Sequence, residues 1–151
     1  MNISLVEKDI KDIRLIKPLW EKLNLVHYEK SIHFKNKYEN FTFDNRMRSI
    51  NKKAQNGIVK IDLLLDEDTS NYVGYCISSI ENNDGEIESI FIDENYRKLK
   101  LGDMLMQSAL SWFESNSITN IAIGVVYDNC DALPFYEHYG FNISSYILKK
   151  I

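Results

Sequence analysis

The chain has 151 residues, and its 18 Lys and Arg against 22 Asp and Glu give a net charge of −4. This length predicts one domain over residues 1–151, large enough to bury a hydrophobic core without metals or disulfides. The 44% hydrophobic and 26% charged residues exclude a disordered chain. The mildly acidic charge argues against nucleic acid or an anionic membrane as the partner.

The cysteines and the N-terminus indicate an intracellular protein. Cys76 and Cys130 lie far apart and form no metal-binding or redox motif, so we expect free thiols. No apolar run reaches the ~18 residues of a membrane span. The first residues carry no signal-peptide pattern, and we expect a cytoplasmic protein.

The first half of the chain predicts a short strand, two helices and a β-meander. Apolar residues at helical spacing run from Ile10 to Leu23, and Pro18 inside them predicts a kink or a new helix start. A second helix is expected over residues 43–54. Three β-rich stretches follow, and they are residues 58–65, 72–80 and 86–92. Asp84-Gly85 predicts the hairpin turn before the last of them, because such turns need positive φ.

The second half alternates helix and strand. A basic turn precedes a predicted helix with an apolar face over residues 101–113. The nearly all-apolar residues 118–126 predict a strand buried on both faces. A short helix closed by Gly140 and a last strand over residues 141–148 complete the pattern. This order predicts an α+β or α/β fold with a mixed sheet, antiparallel at its centre and completed by a βαβ crossover.

The basic turn is the first candidate site. Arg97, Lys98 and Lys100 directly precede a helix, whose first amides have no intrahelical acceptor and whose dipole favours an anion. A phosphate or pyrophosphate would fit there, although a solvated basic loop is the alternative. The turn lacks the P-loop pattern, which disfavours an ATPase.

A second cluster covers residues 129–141. Packing in a core-facing helix explains Phe135 and Tyr139, and it explains Tyr136 only in part because a buried phenol needs a polar partner.

Together the two clusters resemble the signatures of the GNAT N-acetyltransferase superfamily. The acyl-CoA signature of the family is Arg or Gln, two residues of any type, Gly, one residue of any type, and then Gly or Ala. Residues 97–102 match this signature, except that Lys100 replaces its first glycine. The second family pattern is matched by Asn129, Ala132, Phe135, Tyr136, Gly140 and Phe141. The resemblance implies a GNAT-like acyl-CoA N-acyltransferase fold with about six to seven strands and about four helices, and acetyl-CoA as cofactor.

The resemblance also implies roles for individual residues. The main chain of Ile90, Phe91 and Ile92 would bind the pantetheine arm, which Asn129 would also contact. Tyr136 would contact the cofactor and give its proton to the departing thiolate. The remaining cofactor-binding residues would hold the pyrophosphate, and they are Arg97, Lys98, Leu99, Lys100, Leu101, Gly102 and Asp103.

A base must deprotonate the attacking amine, and Glu88 is the first candidate. In an unbroken strand the side chain of Glu86 lies on the same face as that of Glu88. Ile90 and Ile92 continue this face toward the expected binding site of the acetyl group. Glu86 and a water relay remain alternatives. No spacing of His, Asp or Glu indicates a metal.

The acceptor side is expected among the N-terminal helices. His27 and Tyr28 are candidate substrate contacts there, together with Glu86 and Glu88.

These observations predict acetyl transfer from acetyl-CoA to a primary amine of a small molecule, by direct attack in a ternary complex. A protein or peptide N-terminal acetyltransferase is one alternative. A non-catalytic acyl-CoA-binding domain is another, and Lys100 is its only support. The resemblance leaves a homodimer open, because family members often dimerise.

Overall fold

The computed structural model describes residues 1–151 and contains a five-stranded sheet in the order β1-β2-β3-β4-β5. The strands are β1 (Ile3–Lys8), β2 (Ile58–Asp66), β3 (Asn71–Glu81), β4 (Asp84–Ile92) and β5 (Asn120–Ile123). Strands β1 to β4 pair antiparallel, and β5 pairs parallel with β4. The predicted mixed α/β fold, with an antiparallel centre and one parallel crossover, is therefore confirmed.

Five α-helices and three 3-10 segments accompany the sheet. The helices are α1 (Lys17–Lys30), α2 (Lys35–Asn40), α3 (Phe43–Asn56), α4 (Leu101–Ser115) and α5 (Leu133–Glu137). The 3-10 segments are Ile10–Ile16, Glu94–Tyr96 and Tyr127–Ala132. Pro18 lies in the first turn of α1, where the missing N–H costs nothing, so the chain starts a new helix there. None of these helices has both the length and the apolar character that a membrane crossing requires.

Helices cover both faces of the sheet. Trp20 of α1 and Phe43 of α3 pack with Ile61 and Tyr75 on one face. The other face carries a second cluster, formed by Leu64, Val73, Cys76, Ile87, Leu101, Leu105, Met106, Ala109, Phe113 and Ile118. The sheet thus separates an α1/α3 layer from an α4 layer.

The turn between β3 and β4 differs from the prediction. The residues with positive φ are Asn82 and Asn83, at 53° and 64°, whereas Asp84 and Gly85 already belong to β4. Asparagine tolerates the left-handed region well enough to form such a turn without glycine. Gly85 serves packing instead, since a Cβ there would lie 2.7 Å from the ring of Phe113.

The end of the chain also differs from the prediction. Residues 141–148 form no strand, and the sheet has five strands rather than six to seven. Strand β5 covers only Asn120–Ile123, and its residues alternate between exposed and half-buried. The prediction that both faces of this strand are buried is therefore wrong. The β-rich composition of residues 141–148 is not sufficient, because a strand also needs a ladder partner and an apolar face to pack on.

A buried ion pair lies between β2 and α4. Lys60 and Asp62 are 7% and 1% exposed, and Lys60 Nζ lies 3.2 Å from Asp62 Oδ2. The same ammonium donates to Ser108 Oγ at 2.8 Å and to Ser108 O at 3.1 Å. These contacts attach the middle of α4 to the sheet through charge as well as through apolar packing.

Candidate active site

A cleft opens where β4 and β5 separate. Their parallel pairing runs from Asp84↔Asn120 to Ile87↔Ile123 and ends there. Strand β4 continues to Ile92, so its last residues have β3 on one side and no strand on the other. The open edge of β4 is available to a ligand.

A β-bulge in β4 decides which side chains face this cleft. Ile77 pairs with Ser89 but Ser78 pairs with Ile87, so Glu88 has no partner on β3. A bulge places two successive residues on one side of a sheet. Glu88 and Ser89 accordingly both contact side chains of the α1/α3 layer or of its sheet face.

We expected Ile90 and Ile92 to lie on the same face of β4 as Glu86 and Glu88, and the bulge makes this expectation wrong. Both carboxylates contact Lys53 of α3, on the α1/α3 side. Ile90 and Ile92 pack instead on the α4 side, with the second core cluster. The alternation of period two holds only within an unbroken strand, and the extra residue reverses it.

The main chain of β4 presents free hydrogen-bonding groups to the cleft. The Asp93 N–H donates to Val73 O of β3 at 2.8 Å. Main-chain groups point to the same neighbour at every second residue of an antiparallel ladder. The N–H and C=O groups of Ile90 and Ile92 therefore point away from β3, toward the gap beside β5. Arg97 closes part of this edge, because its Nε donates to Ile92 O at 3.1 Å.

The turn from β4 to α4 has the geometry of an anion site. Lys98 and Lys100 hold positive φ, at 63° and 61°, and Lys100 is the N-cap residue of α4. Lys100 thus adopts the left-handed conformation for which the acyl-CoA signature uses glycine. Its side chain caps no amide, so the first amides of α4 are free to bind a ligand.

The three bases of this turn form no ion pair with a carboxylate. The guanidinium of Arg97 lies 5.5 Å from the ring centre of Phe91, and Leu99 is 47% exposed. Asp103, in the first turn of α4, accepts hydrogen bonds from Tyr139 and Gln107. The positive charge of the turn is therefore available to a phosphate.

Gly102 places α5 against the start of α4. A Cβ on Gly102 would lie 3.0 Å from Cε1 and 3.1 Å from Cζ of Phe135. The ring of Phe135 in turn packs edge-on against Tyr136 and Tyr139, at 5.2 and 5.3 Å. The glycine thus lets the helix that carries Tyr136 approach the basic turn.

Tyr136 is half-buried, and its hydroxyl has no hydrogen-bond partner within the chain. Burial raises the pKa of Tyr136 to about 12, so the phenol keeps its proton at neutral pH. At neutral pH the group is a proton donor, and its raised pKa makes it a weaker acid than a free tyrosine.

Glu88 is held by three donors rather than left free. Lys53 Nζ and Ser79 Oγ lie 2.5 and 2.6 Å from its Oε2, and Arg46 Nη2 lies 3.2 Å from Oε1. Burial alone would raise the pKa of Glu88. The hydrogen bonds from Lys53 and Ser79 and the charges of Lys53 and Arg46 outweigh it, and the pKa lies below its ordinary value. A carboxylate stabilised in this way is a weak base.

The family model described as the acetyltransferase (GNAT) family matches residues 21–141. The chain belongs to the GNAT acetyltransferase family. A search of curated proteins gives no significant match.

Three solved structures illustrate the likeness of fold. PaiA N-acetyltransferase from Thermoplasma acidophilum, solved with coenzyme A, is 18% identical with a TM-score of 0.73, over 95% of this chain and 92% of its own. A GNAT acetyltransferase from Staphylococcus aureus Mu50 is 20% identical with a TM-score of 0.68, over 91% and 81%. The aminoglycoside N-acetyltransferase AAC(6')-Iy, solved with CoA, is 11% identical with a TM-score of 0.70, over 99% and 94%.

Asn129 of this GNAT chain is tied to α1. Lys30 Nζ donates to Asn129 Oδ1 at 2.9 Å and lies 3.5 Å from Asp131 Oδ2. The Ile32 N–H donates to Asp128 at 3.4 Å. The second family pattern is thus connected to the end of the first helix.

His27 and Tyr28 lie on different sides of α1. His27 packs on Tyr38 at 5.5 Å, and burial, with the charges of Lys37 and Lys30, lowers its pKa to about 4. The imidazole is therefore neutral at pH 7. Tyr28 instead lines a groove of 740 Å³ between α1 and the start of α3. Successive helical residues differ by ~100°, so Tyr28 points away from the side on which Lys30 contacts Asn129.

Sequence reasoning missed the partners of Glu88. Arg46 and Lys53 lie seven residues apart and flank the apolar stripe of α3, while Glu86 and Glu88 lie two apart on a strand. Two bases on one helix and two acids on one strand were a usable signal for a contact between these elements. No pattern in the sequence indicated that Ser79 contacts Glu88.

Neither cysteine offers a nucleophile. Cys76 is fully buried, and burial raises the pKa of its thiol to about 12. Cys130 is exposed, and its thiol makes no hydrogen bond to a histidine. The structure contains no group of three or more His, Cys, Asp or Glu side chains that could hold a metal ion.

Proposed function

We propose that this GNAT chain is an acetyl-CoA-dependent N-acetyltransferase that acts on a primary amine of a small molecule. The observation that carries the proposal is the unpartnered, protonated hydroxyl of Tyr136, on a helix packed beside a cleft with a free main-chain edge. Family membership supports the acyl transfer. The coenzyme A in two of the similar structures supports the cofactor.

The residues present fit acetyl-CoA. The free amides at residues 101–103 and the unpaired bases Arg97, Lys98 and Lys100 would hold the pyrophosphate. The main chain of Ile90 and Ile92 would hydrogen-bond the pantetheine arm, as an added strand does at a sheet edge. Asn129 would contact the same arm through the amide nitrogen that Lys30 leaves free.

Bound acetyl-CoA supplies an electrophilic thioester carbonyl. The neutral amine would form a C–N bond to that carbon and then lose one proton from its nitrogen to water, and the C–S bond would break. The N–H of Ile90 would stabilise the negative charge that develops on the carbonyl oxygen. Tyr136 gives its proton to the departing sulfur, and it recovers a proton from solvent after CoA leaves.

Removal of a proton from the acceptor ammonium fits a water relay better than direct abstraction by Glu88. Both oxygens of Glu88 already accept hydrogen bonds, and its side chain is 2% exposed. Glu86 is 40% exposed and contacts Lys53 alone. In this proposal water carries the proton to solvent, and Glu88 holds the strand in place.

The left-handed conformation of Lys100 supports the catalytic proposal over a non-catalytic domain. That alternative rests on a loss of CoA affinity when lysine replaces glycine, and the turn keeps its left-handed conformation with the lysine in place. The small amine remains a proposal, to which the aminoglycoside acetyltransferase of similar fold lends support.

The test combines binding with turnover. Millimolar acetyl-CoA should raise the melting temperature, because a ligand that binds only the native state stabilises it. Incubation with acetyl-CoA and a panel of small amines, followed by thiol release and product mass, identifies the acceptor. Tyr136→Phe should keep CoA affinity but lower kcat at least tenfold, whereas Tyr127→Phe, at an exposed tyrosine of the same region, should change neither. Unchanged turnover in Tyr136→Phe with a good acceptor contradicts the role of the phenol.

A further inference from the structure

The bulge leaves Glu88 without a paired residue on either neighbouring strand. Strand β3 skips this residue, and pairing with β5 ends one residue earlier, at Ile87. Glu88 is half-buried although its side chain is only 2% exposed, so its main chain is the accessible part of the residue. A donor from outside the sheet can therefore bind its carbonyl.

Arg46 of α3 is that donor. Its Nη2 donates to Glu88 O at 2.6 Å and to Glu88 Oε1 at 3.2 Å, so one nitrogen binds the main chain and the side chain of the same residue. Its Nη1 donates to Ser49 Oγ at 2.9 Å, which fixes the plane of the guanidinium. The side chain of Arg46 is 21% exposed, so these bonds are only partly screened by water.

The other two donors complete the attachment. Lys53 and Ser79 both bind Oε2 of Glu88, from α3 and from β3. Glu88 is thus held through its carbonyl and both carboxylate oxygens. Two residues further along β4, the amide of Ile90 points into the cleft.

We propose that Arg46 is a positioning residue for acetyl transfer. It holds the Glu88 carbonyl at the bulge and thereby sets the direction of the Ile90 N–H toward the thioester oxygen. This inference rests on the proposed function, because the direction of that amide matters only if a thioester lies in the cleft. It also gives Glu88 a role as the anchor of the bulge.

Two variants and one control test the proposal. Arg46→Met removes all donors from the Glu88 carbonyl, whereas Arg46→Lys keeps one. Arg48→Met removes an exposed arginine of the same helix that contacts none of these groups. The measurements are the melting temperature, the dissociation constant for CoA, and kcat and KM for acetyl-CoA with the best acceptor amine.

We expect Arg46→Met to lower kcat at least tenfold while the CoA dissociation constant changes less than threefold, because the basic turn that binds CoA is untouched. Arg46→Lys should recover at least a third of the activity, and Arg48→Met should equal the wild type. Wild-type kcat in Arg46→Met overturns the proposal. So does a loss of CoA affinity equal to the loss of kcat, with no recovery in Arg46→Lys.

Amide hydrogen exchange separates this proposal from the function on which it rests. A wild-type chain that neither binds CoA nor transfers acetyl groups refutes the proposed function. In that case the attachment of the bulge is still tested at Phe91 and Asp93, whose amides point to β3. Arg46→Met must speed exchange at these amides and Arg48→Met must not. Equal exchange in both variants overturns the role of Arg46.

Discussion

Lys100 holds a backbone conformation that costs an L-amino acid free energy. At φ 61° and ψ 21° it lies in the left-handed region, which disfavours a residue with a Cβ by roughly 1–2 kcal/mol. Its ammonium belongs to the unpaired positive charge of the basic turn. The backbone strain at Lys100 lowers the stability of the fold, whereas its charge favours the binding of CoA. Two substitutions separate these effects.

Lys100→Ala removes the charge and keeps the Cβ, whereas Lys100→Gly removes both. We expect Lys100→Gly to be more stable than Lys100→Ala by about 1 kcal/mol, since glycine adopts this region without steric cost. Both variants should bind CoA more weakly than wild type at low salt, and the difference should shrink as salt is raised. Thermal unfolding and calorimetric titration at two ionic strengths measure the two effects. Equal stabilities of the Ala and Gly variants would refute the strain.

At the scale of elements, the contact between α4 and α5 is set by one glycine. Alanine in the first turn of a helix normally stabilises it by about 1 kcal/mol relative to glycine. At Gly102 the added methyl would lie 3.0 Å from the ring of Phe135. The ring must then move, and Tyr136, its neighbour in sequence, moves with it.

Gly102→Ala should therefore lower kcat at least fivefold although alanine favours the helix. Gly124→Ala is the matched control, because a Cβ there meets no atom within 4 Å. The control should retain wild-type turnover with the acceptor amine. Wild-type kcat in Gly102→Ala would show that the approach of α5 does not position Tyr136.

The sequence predicts the elements around the cleft better than the contacts between them. The strand, the basic turn and the helix that follows are visible in residues 86–113, because local patterning and charge specify them. The bulge at Glu88 is not visible, because a period of two gives no sign of one inserted residue. The hydrogen bond from Arg46 to Glu88 spans 42 residues and depends on how α3 packs, so no local pattern predicts the low pKa of that carboxylate.

At the scale of the whole molecule, the buried pair Lys60–Asp62 connects the sheet to α4. A buried ion pair contributes little compared with an apolar replacement, but breaking it leaves one charge uncompensated at a cost of about 3–5 kcal/mol. The carboxylate of Asp62 has no other cation within ion-pair distance. Lys60 also lies 3.6 Å from Glu7 Oε1, so it keeps an acidic partner when Asp62 is removed. Global stability should therefore depend most strongly on keeping Lys60 wherever Asp62 is present.

Lys60→Met alone should destabilise the chain by about 3 kcal/mol or more. The double variant Lys60→Met with Asp62→Val should recover most of that loss. Lys11→Met, which removes the exposed partner of Asp9 at 3.9 Å, should change stability by no more than about 0.5 kcal/mol. Urea unfolding of these proteins and of the single variant Asp62→Val completes the double-mutant cycle and gives the coupling energy. Additive effects of the two buried substitutions would contradict the coupling.

The short ladder between β4 and β5 also has a mechanical consequence. Only four residue pairs join the last strand to the sheet, and no later strand covers its outer edge. A force that pulls the two ends of the chain apart would act on the pairing between β4 and β5, where few hydrogen bonds resist it. A ligand bound between β4 and β5 would contact both strands. The force needed to separate the two strands should therefore be higher when the ligand is bound.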